Sequence, residues 1–597
     1  MKGIKLLVAF LGLGGLSGIG FFWHLGSTGL IDETVPLFAE AARQMLVTGD
    51  WITPYFNGNP RFDKPPLIYW LMAIAYRLIG VNEWAVRLPS AMAATGLVGF
   101  GFYLLWRYVQ ANQIPRPQTP FNPESSWLHP LPWMGAALIA LNPQIIAWGR
   151  IGVSDMLLTG CIAASLFSFF LGYAEARTWY WGCYLFIGLG ILAKGPIGIV
   201  IPGLIIFAFT IGVGNFRRVL REMKPIFGVI VIAAMTLPWY LLITLENGQA
   251  YLDSFFGYHN FQRFTQVVND HSAPWYFYFI IVLVGLIPNS AYLLISIFQS
   301  QYWQSLGTWR KGKINRRNHA PQPRWQQLKL FTLVWILCIF IFFTICATKL
   351  PSYILPLMPA CGILVALFWS DLALKRIPTK KSSQITSIFT IFLLLAITFL
   401  GFYSVNWLGY DPDMPNFATA LKSSGLLLRI SYIWLTITAT VSLLFLWGRT
   451  VWILPVNLLG FVLCLILGLT PIYHLLDQHR QEPLRQIAQA VVEQSMPGEP
   501  LIAVGFDKPS LVFYTQQPVD YYEYATDALA AFHKDSELNS DEFGAQFSDS
   551  ILLIAYPSEF IKLGLKPEQY QVLDQASVYQ LARVNSPIKS ESPPTPE

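Results

Sequence analysis

Leu330-Phe-Thr-Leu-Val-Trp-Ile-Leu-Cys-Ile-Phe-Ile-Phe-Phe-Thr-Ile-Cys346 carries no charged side chain. A helix needs about 20 mostly apolar residues to cross the hydrocarbon core of a bilayer. This stretch, extended to 329–347, is one of thirteen that approach that length. The others are roughly 4–24, 85–107, 132–149, 155–174, 179–193, 196–213, 226–245, 276–298, 353–371, 384–404, 427–447 and 451–475. The apolar run from Leu67 to Ile79 is too short to span and reads as a helix lying at the interface. The chain of 597 residues is 54% hydrophobic and 12% charged, against roughly a quarter charged in a soluble domain. An ordinary soluble enzyme is excluded, and the fold class is an all-α polytopic membrane protein of about thirteen spans.

The charges are segregated. From Asp477 to Glu597 there are 18 acidic and 8 basic residues, whereas residues 1–476 carry 32 basic and 16 acidic. The first four-fifths therefore read as a membrane domain, 1–475, and the rest as an acidic soluble domain, 476–584, with a disordered Pro- and Ser-rich end, 585–597. Short loops rich in Lys and Arg face the cytoplasm. Three qualify: 299–328 with Arg310, Lys311, Lys313, Arg316, Arg317 and Arg324; then Arg217, Arg218, Arg221 and Lys224; then Lys375, Arg376, Lys380 and Lys381. With thirteen crossings the N-terminus is inside, as a retained signal anchor, and the acidic domain is outside. In a bacterial-type plasma membrane that side is periplasmic or extracytoplasmic.

The acidic domain reads as a small α/β unit: an amphipathic stretch from Gln481 to Gln494, then β-like runs Leu501–Val504, Leu511–Tyr514 and Ile551–Ala555. The six cysteines lie in or beside apolar stretches and offer neither a disulfide framework nor a CxxC motif. Basic residues fall in short loops between apolar runs, so nucleic acid is not a partner.

Ionisable groups at membrane depth are costly and tend to serve function. The first outer loop and its interfacial helix, 25–84, contain Asp32, Glu33, Glu40, Arg43, Asp50, Arg61, Asp63 and Lys64. Helical spacing from Asp32 to Leu46 puts Val35, Phe38, Ala39, Ala42 and Met45 on one apolar face, with Asp32 at the helix start. Read alone, Asp32 is an N-cap. Asp155, in Arg150-Ile-Gly-Val-Ser-Asp155, starts another helix on the same membrane face, and two carboxylates there suit a general base and an orienting or acid group. Lys64, Arg263 and Lys349 complete an outer anion site suited to a phosphate ester, or else snorkel to lipid headgroups. His259 reads as a loop histidine, a metal ligand or an acid/base group.

Three segments, Ile31-Asp-Glu-Thr-Val-Pro-Leu-Phe-Ala-Glu, Gly49-Asp-Trp-Ile-Thr-Pro-Tyr-Phe-Asn-Gly and Phe62-Asp-Lys-Pro-Pro-Leu-Ile-Tyr-Trp-Leu, together resemble the first outer loop of the C-type (GT-C) glycosyltransferases that use polyprenyl-phosphate sugars. The group of aminoarabinose lipid A transferases and dolichyl-phosphate-mannose protein O-mannosyltransferases is the nearest in motif. Ser154-Asp-Met-Leu-Leu-Thr, Ala193-Lys-Gly-Pro, Asn260-Phe-Gln-Arg-Phe and Thr348-Lys-Leu-Pro-Ser-Tyr agree with it. The resemblance implies a catalytic carboxylate at Asp32, a second acidic position at Asp155, and a lipid-phosphate site at Lys64 and Arg263 with Tyr353 and Lys349 beside them. Glu33, Asp63 and His259 are assigned an acceptor or metal role. Asp63 stands where aminoarabinose transferases carry Glu, and Asn260 where they carry His, so neither that sugar nor a zinc site follows. A divalent metal is left open and no other cofactor is required.

The implied reaction moves a monosaccharide, hexosyl or pentosyl, from a polyprenyl-phosphate (undecaprenyl-phosphate) donor to an outer acceptor with inversion. The acceptor is an envelope glycolipid such as lipid A, or a protein hydroxyl. The alternative is a transporter or flippase of a lipid-linked or anionic substrate. Against it, the polar groups gather on one side rather than at the midplane, and no inverted repeat is visible.

Overall fold

The computed structural model of the chain describes residues 2–115, 123–268, 271–298, 323–374, 380–538 and 550–585. The expected disordered end from 586 onward lies outside these residues, as do most of the basic loop 299–328 and the pair Lys375 and Arg376.

Among the described residues eight helices are long and apolar enough to cross a membrane, or nine if Pro130–Ala140 and Pro143–Gly149, bent by 58°, form one broken span. That is fewer than the thirteen apolar runs suggest, because apolarity does not register breaks. The run 276–298 divides into Phe277–Val284 and Ser290–Phe298 around Pro288, which has no backbone N–H to continue a helix. Trp179–Lys194 and Ile197–Gly212 have 16 residues each. Leu67–Ile79 is a 13-residue helix, as its length implies. The core of the bundle is aromatic and aliphatic, with Phe167, Phe169, Phe170 and Trp335 fully buried.

Two chemically different ends result. At one, Glu222 receives Arg324 at 3.0 Å, Arg218 at 3.1 Å and Arg177 at 3.6 Å, which gathers basic loops onto a single carboxylate. The helix Glu83–Ala111 runs between the ends. Arg107 near its C-terminus pairs with Glu175, while Glu83 at its start accepts a hydrogen bond from Tyr514 of the acidic domain. Its 29 residues extend ~43 Å at 1.5 Å per residue, enough to place the two ends on opposite membrane faces.

The acidic domain is a five-stranded sheet in the order Asp520–Tyr522, Leu501–Val504, Ser550–Ala555, Tyr579–Asn585, Tyr570–Ala576. The first three strands are parallel and the last two antiparallel. Glu482–Gln494 is the expected amphipathic helix and covers one face through Leu484, Ile487, Ala488 and Val491. The run Leu511–Tyr514 is not a strand: it lies in the helix Ser510–Thr515. Four apolar residues carry too little periodicity to separate the two states.

This domain is docked on the first outer loop. Asn57 exchanges two hydrogen bonds with the Val519 backbone, at 2.8 and 2.9 Å; Gly29 N donates to Asp477, Leu30 N to Tyr514 and Arg43 to Gln516 O. Phe513 packs into the cluster formed by Leu30, Val35, Phe38 and Met72.

Gly198 lets two site-bearing helices cross closely, because a Cβ there would fall 2.3 Å from the Gly190 carbonyl carbon. Gly198→Ala therefore overpacks the crossing, at a cost of about 1–3 kcal/mol. A lowered Tm of the detergent-solubilised protein is the expected readout, and an unchanged Tm would show that the crossing is loose.

Candidate active site

The prolines in Phe62-Asp63-Lys64-Pro65-Pro66 fix the local chain. A residue before proline is pushed out of the helical region, so Lys64 stays outside the helix, in a bend, and the helix begins only at Leu67. Its ammonium is paired with Asp63, which also takes Arg61 at 2.7 Å and has His259 Nδ1 at 3.2 Å. Burial alone would raise the Asp63 carboxyl, but Lys64, Arg61 and His259 hold it well below the usual carboxylate range. Burial also lowers the Lys64 ammonium, to about 8, with Asp63 opposing the shift and Lys194 and Arg263 adding repulsion.

A second ion pair faces the first. Asp155 lies in the first turn of Ser154–Ala174 and Lys194 in the last turn of Trp179–Lys194, each at the helix end whose dipole favours its sign. They meet at 2.7 Å, and Lys194 Nζ is 5.6 Å from the centre of the Tyr353 ring. Gly195 ends the helix with φ 85° and admits Phe255, which a Cβ would meet at 2.7 Å. That close approach seats the π-helical segment Asp253–Gln262, which leads directly to Arg263. Arg263 Nε is buried without a hydrogen-bond partner.

These groups line one recess. Its polar part holds Asp63, Lys64, Asp155, Lys194, His259, Arg263 and Tyr353; its apolar part is Leu158, Ile162, Ile197, Ile201, Phe264, Phe342 and Phe343. Three cations against two carboxylates leave positive charge in low dielectric, where an anion with several acceptor oxygens binds. The apolar wall suits a hydrocarbon tail.

The structure thus brings together Asp63, Lys64, Asp155, His259, Arg263 and Tyr353 of the residues picked out in the sequence. Lys349 is not among the lining residues. Its ammonium donates to the carbonyls of Cys346 at 2.6 Å and Thr344 at 3.1 Å, capping the helix Leu328–Ile345. Glu33 is exposed, with φ 90°. Asp32 also lies outside the recess lining, and it does not cap a helix. The helix starts at Val35, Thr34 precedes it without a side-chain bond, and Asp32 Oδ1 accepts from Ser510 N of the acidic domain at 3.0 Å. Lys194 is the recess residue that sequence reasoning missed, although the segment Ala193-Lys-Gly-Pro contains it. Among the described residues no three His, Cys, Asp or Glu side chains gather for a metal. Asn260 donates its amide to Phe255 O at 2.6 Å, which leaves His259 and Asp63 too few to hold a metal by themselves.

Comparison with known proteins bears on the fold and on sequence similarity. Residues 63–113 and 131–241 match the family described as dolichyl-phosphate-mannose-protein mannosyltransferase, and residues 494–594 match the C-terminal domain of cyanobacterial RgtA-type glycosyltransferases. The chain is 29% identical over 393 residues to an undecaprenyl phosphate-alpha-4-amino-4-deoxy-L-arabinose arabinosyl transferase of Yersinia enterocolitica, covering 64% of this chain and 62% of that protein. A protein of the same description from Aeromonas salmonicida is 31% identical over 345 residues, covering 56% of this chain and 55% of its own. The chain thus spans less than two thirds of the length of these two relatives. The crystal structure of ArnT from Cupriavidus metallidurans bound to undecaprenyl phosphate superposes with a TM-score of 0.70 at 21% identity, covering 98% of this chain and 97% of that one. The protein is a multi-pass integral membrane protein with this GT-C fold, and it resembles the aminoarabinose and mannosyl transferases in sequence.

Two measurements test the recess. Lys64 carries its charge below about pH 8 and loses it above, so affinity for a long-chain alkyl phosphate should fall as pH rises from 7 to 9.5, and Lys64→Arg should flatten that profile; a pH-independent Kd in the wild type would remove Lys64 from the anion site. Asp63→Asn leaves Arg61 and Lys64 without their shared counter-charge, a loss of about 3–5 kcal/mol when a buried pair is broken. The expected result is a clear drop in Tm.

Proposed function

We propose that the protein is a membrane glycosyltransferase that moves a sugar from a polyprenyl-phosphate donor to a hydroxyl of an envelope glycolipid of the lipid A kind. The observation that carries this reading is the single recess joining a three-cation anion site to an apolar wall. The sequence similarity to enzymes described as undecaprenyl-phosphate arabinosyl transferases supports the donor class. A hexosyl or a pentosyl donor fits equally.

In the proposed reaction the acceptor oxygen attacks C1 of the sugar and gives its proton to Asp32. The C1–O bond to phosphate breaks, and its electron pair stays on the phosphate oxygen. Lys64, Lys194 and Arg263 neutralise that developing charge, and such preorganised electrostatic stabilisation commonly contributes more to catalysis than any other single effect. Asp155 fixes Lys194, Asp63 fixes Lys64, and Tyr353 closes the site beside Lys194. One displacement inverts C1. Asp32 suits the base role because burial raises its pKa above the ordinary carboxylate value, against the lowering by Ser510, Lys508 and Gln481. A transporter reading is not favoured, since the ion pairs that line the recess sit at one end of the bundle.

We place the domains at 1–475 and 476–584, the N-terminus in the cytoplasm and the acidic domain outside the plasma membrane. The support is the gathering of Arg177, Arg218 and Arg324 at the end opposite that domain.

The test is release of undecaprenyl phosphate from undecaprenyl-phosphate sugars by the purified protein, with a lipid A extract as acceptor. Loss of a general base costs about 10²–10⁴-fold, so Asp32→Asn should lose at least a hundredfold in kcat with donor Kd unchanged. Equal turnover in the variant would remove Asp32 from the chemistry. No turnover with any donor, in folded wild type, would overturn the reading.

A further inference from the structure

The end of the bundle opposite the acidic domain carries more positive charge than its carboxylates balance. Glu222 takes Arg324 through both oxygens, at 3.0 and 3.1 Å, and its Oε1 also accepts from Arg218 Nε at 3.1 Å. Arg177 Nη2 stays 3.6 Å from the same oxygen, outside hydrogen-bond range. The side chains of Arg177 and Arg218 remain 71% and 70% exposed, with N–H donors to spare. Arg217 and Arg221, one turn apart on the short helix Phe216–Met223, are exposed and pair with no carboxylate among the described residues. Neighbouring acids are already taken, Glu175 by Arg107 and Asp371 by Lys329. The loop 299–323 that leads to Arg324 contains no acidic residue. Arg177, Arg217, Arg218, Arg221 and Arg324 therefore stand against Glu222 alone.

Apolar surface begins where this charge ends. Val219 is fully buried and pins the basic helix to the bundle, and the Tyr184 hydroxyl donates to Met223 O at 2.9 Å. Just beyond, a Cβ on Gly228 would fall 2.3 Å from the Tyr184 ring, so Trp179–Lys194 and Pro225–Leu252 lie side by side there. Trp181 and Leu185 on the first helix are 51% and 44% exposed, and Ile226, Phe227 and Ile230 on the second are 74%, 55% and 57% exposed. An anion held by the arginines thus has an apolar surface directly beside it. Guanidinium groups bind phosphate in bidentate fashion, Trp favours the headgroup level of a bilayer, and basic clusters flanking membrane helices attract anionic lipids. A soluble polyanion would use only the charge, whereas a phospholipid uses both surfaces.

We propose that this end of the bundle binds one anionic phospholipid. Arg177 and Arg218 hold its phosphate, Arg217 and Arg221 add attraction, and its acyl chains lie along Trp181, Leu185 and Phe227. The site is separate from the recess and independent of the reaction assigned to it. The lipid supplies the counter-charge that Glu222 alone does not, at a point where arginines from three segments of the chain meet.

The experiment uses the full chain reconstituted with equal amounts of phosphatidylglycerol and phosphatidylcholine of identical acyl chains, with the lipid retained on each protein counted by native mass spectrometry. Phosphatidylglycerol should be retained in preference, as one tightly held molecule. Arg177→Gln and Arg218→Gln should each weaken its retention about fivefold, the equivalent of the roughly 1 kcal/mol that a basic side chain near a membrane surface contributes toward anionic lipid. Arg217→Gln, in an exposed side chain, should do the same and serves if either of the others fails to fold. Arg449→Gln removes one exposed charge from the same end, beside Val451 and outside the cluster, and should leave retention unchanged. Equal retention of the two lipids by the wild type, unchanged retention in the folded variants, or an equal loss in Arg449→Gln would each overturn the site. Release of the lipid by inorganic phosphate would overturn it in favour of a free-anion site.

Discussion

Positive charge gathered at the edge of a membrane is the constraint on which the rest of the structure depends. Lys64, Lys194 and Arg263 line one recess, and such groups removed from water repel one another and would give up their protons unless compensated. Compensation comes from two carboxylates, each tied to its own cation: Asp63 to Lys64 and Asp155 to Lys194. Each pair is anchored by a different device. Prolines 65 and 66 hold the first in a bend ahead of a helix, and opposed helix ends hold the second. Arg263 keeps Nε unpartnered, which leaves the recess with unspent donor capacity.

That arrangement accounts for features that otherwise look incidental. Helices must begin or end where the recess lies, so Ser154–Ala174 starts there and Trp179–Lys194 stops there. Gly195 and Gly198 are required because side chains at those points would collide with Phe255 and with the neighbouring backbone. The opposite end of the bundle carries the complementary arrangement, several arginines around Glu222.

Most of the recess was legible in the sequence because its residues sit in short motifs where a charge interrupts an apolar setting: Asp63-Lys64-Pro65-Pro66, Ser154-Asp155 and the run through Tyr353. Lys194 was harder. A lysine in the last turn of a helix is what the dipole alone would favour, so nothing local separates a site residue from a cap, and Lys349 shows the converse by turning out to cap carbonyls. The surroundings of Asp32 were not legible at all. Ser510, Gln481 and Tyr579 are far away in the chain and individually ordinary, and only docking of the acidic domain brings them together. The number of continuous helices was not legible for a related reason, since Pro288 and the bend between Ala140 and Pro143 break helices without lowering apolarity.

The separation of Asp32 from the cations has its own physical logic in the proposed reaction. A carboxylate among Lys64, Lys194 and Arg263 would share the situation of Asp63, whose carboxyl is held well below the usual range by its neighbours. Such a group accepts a proton poorly. Asp32 sits instead where burial outweighs the stabilising contacts and raises its pKa, which moves it toward the affinity a general base needs. The phosphate's cations and the acceptor's base make opposite electrostatic demands, which are easier to meet when the two sit on different elements flanking the reacting carbon. Assigning one to the ends of the membrane helices and the other to the contact with the acidic domain eases the conflict, and it gives a reason for that domain to be fastened to the first outer loop by hydrogen bonds that each join a side chain to a backbone group.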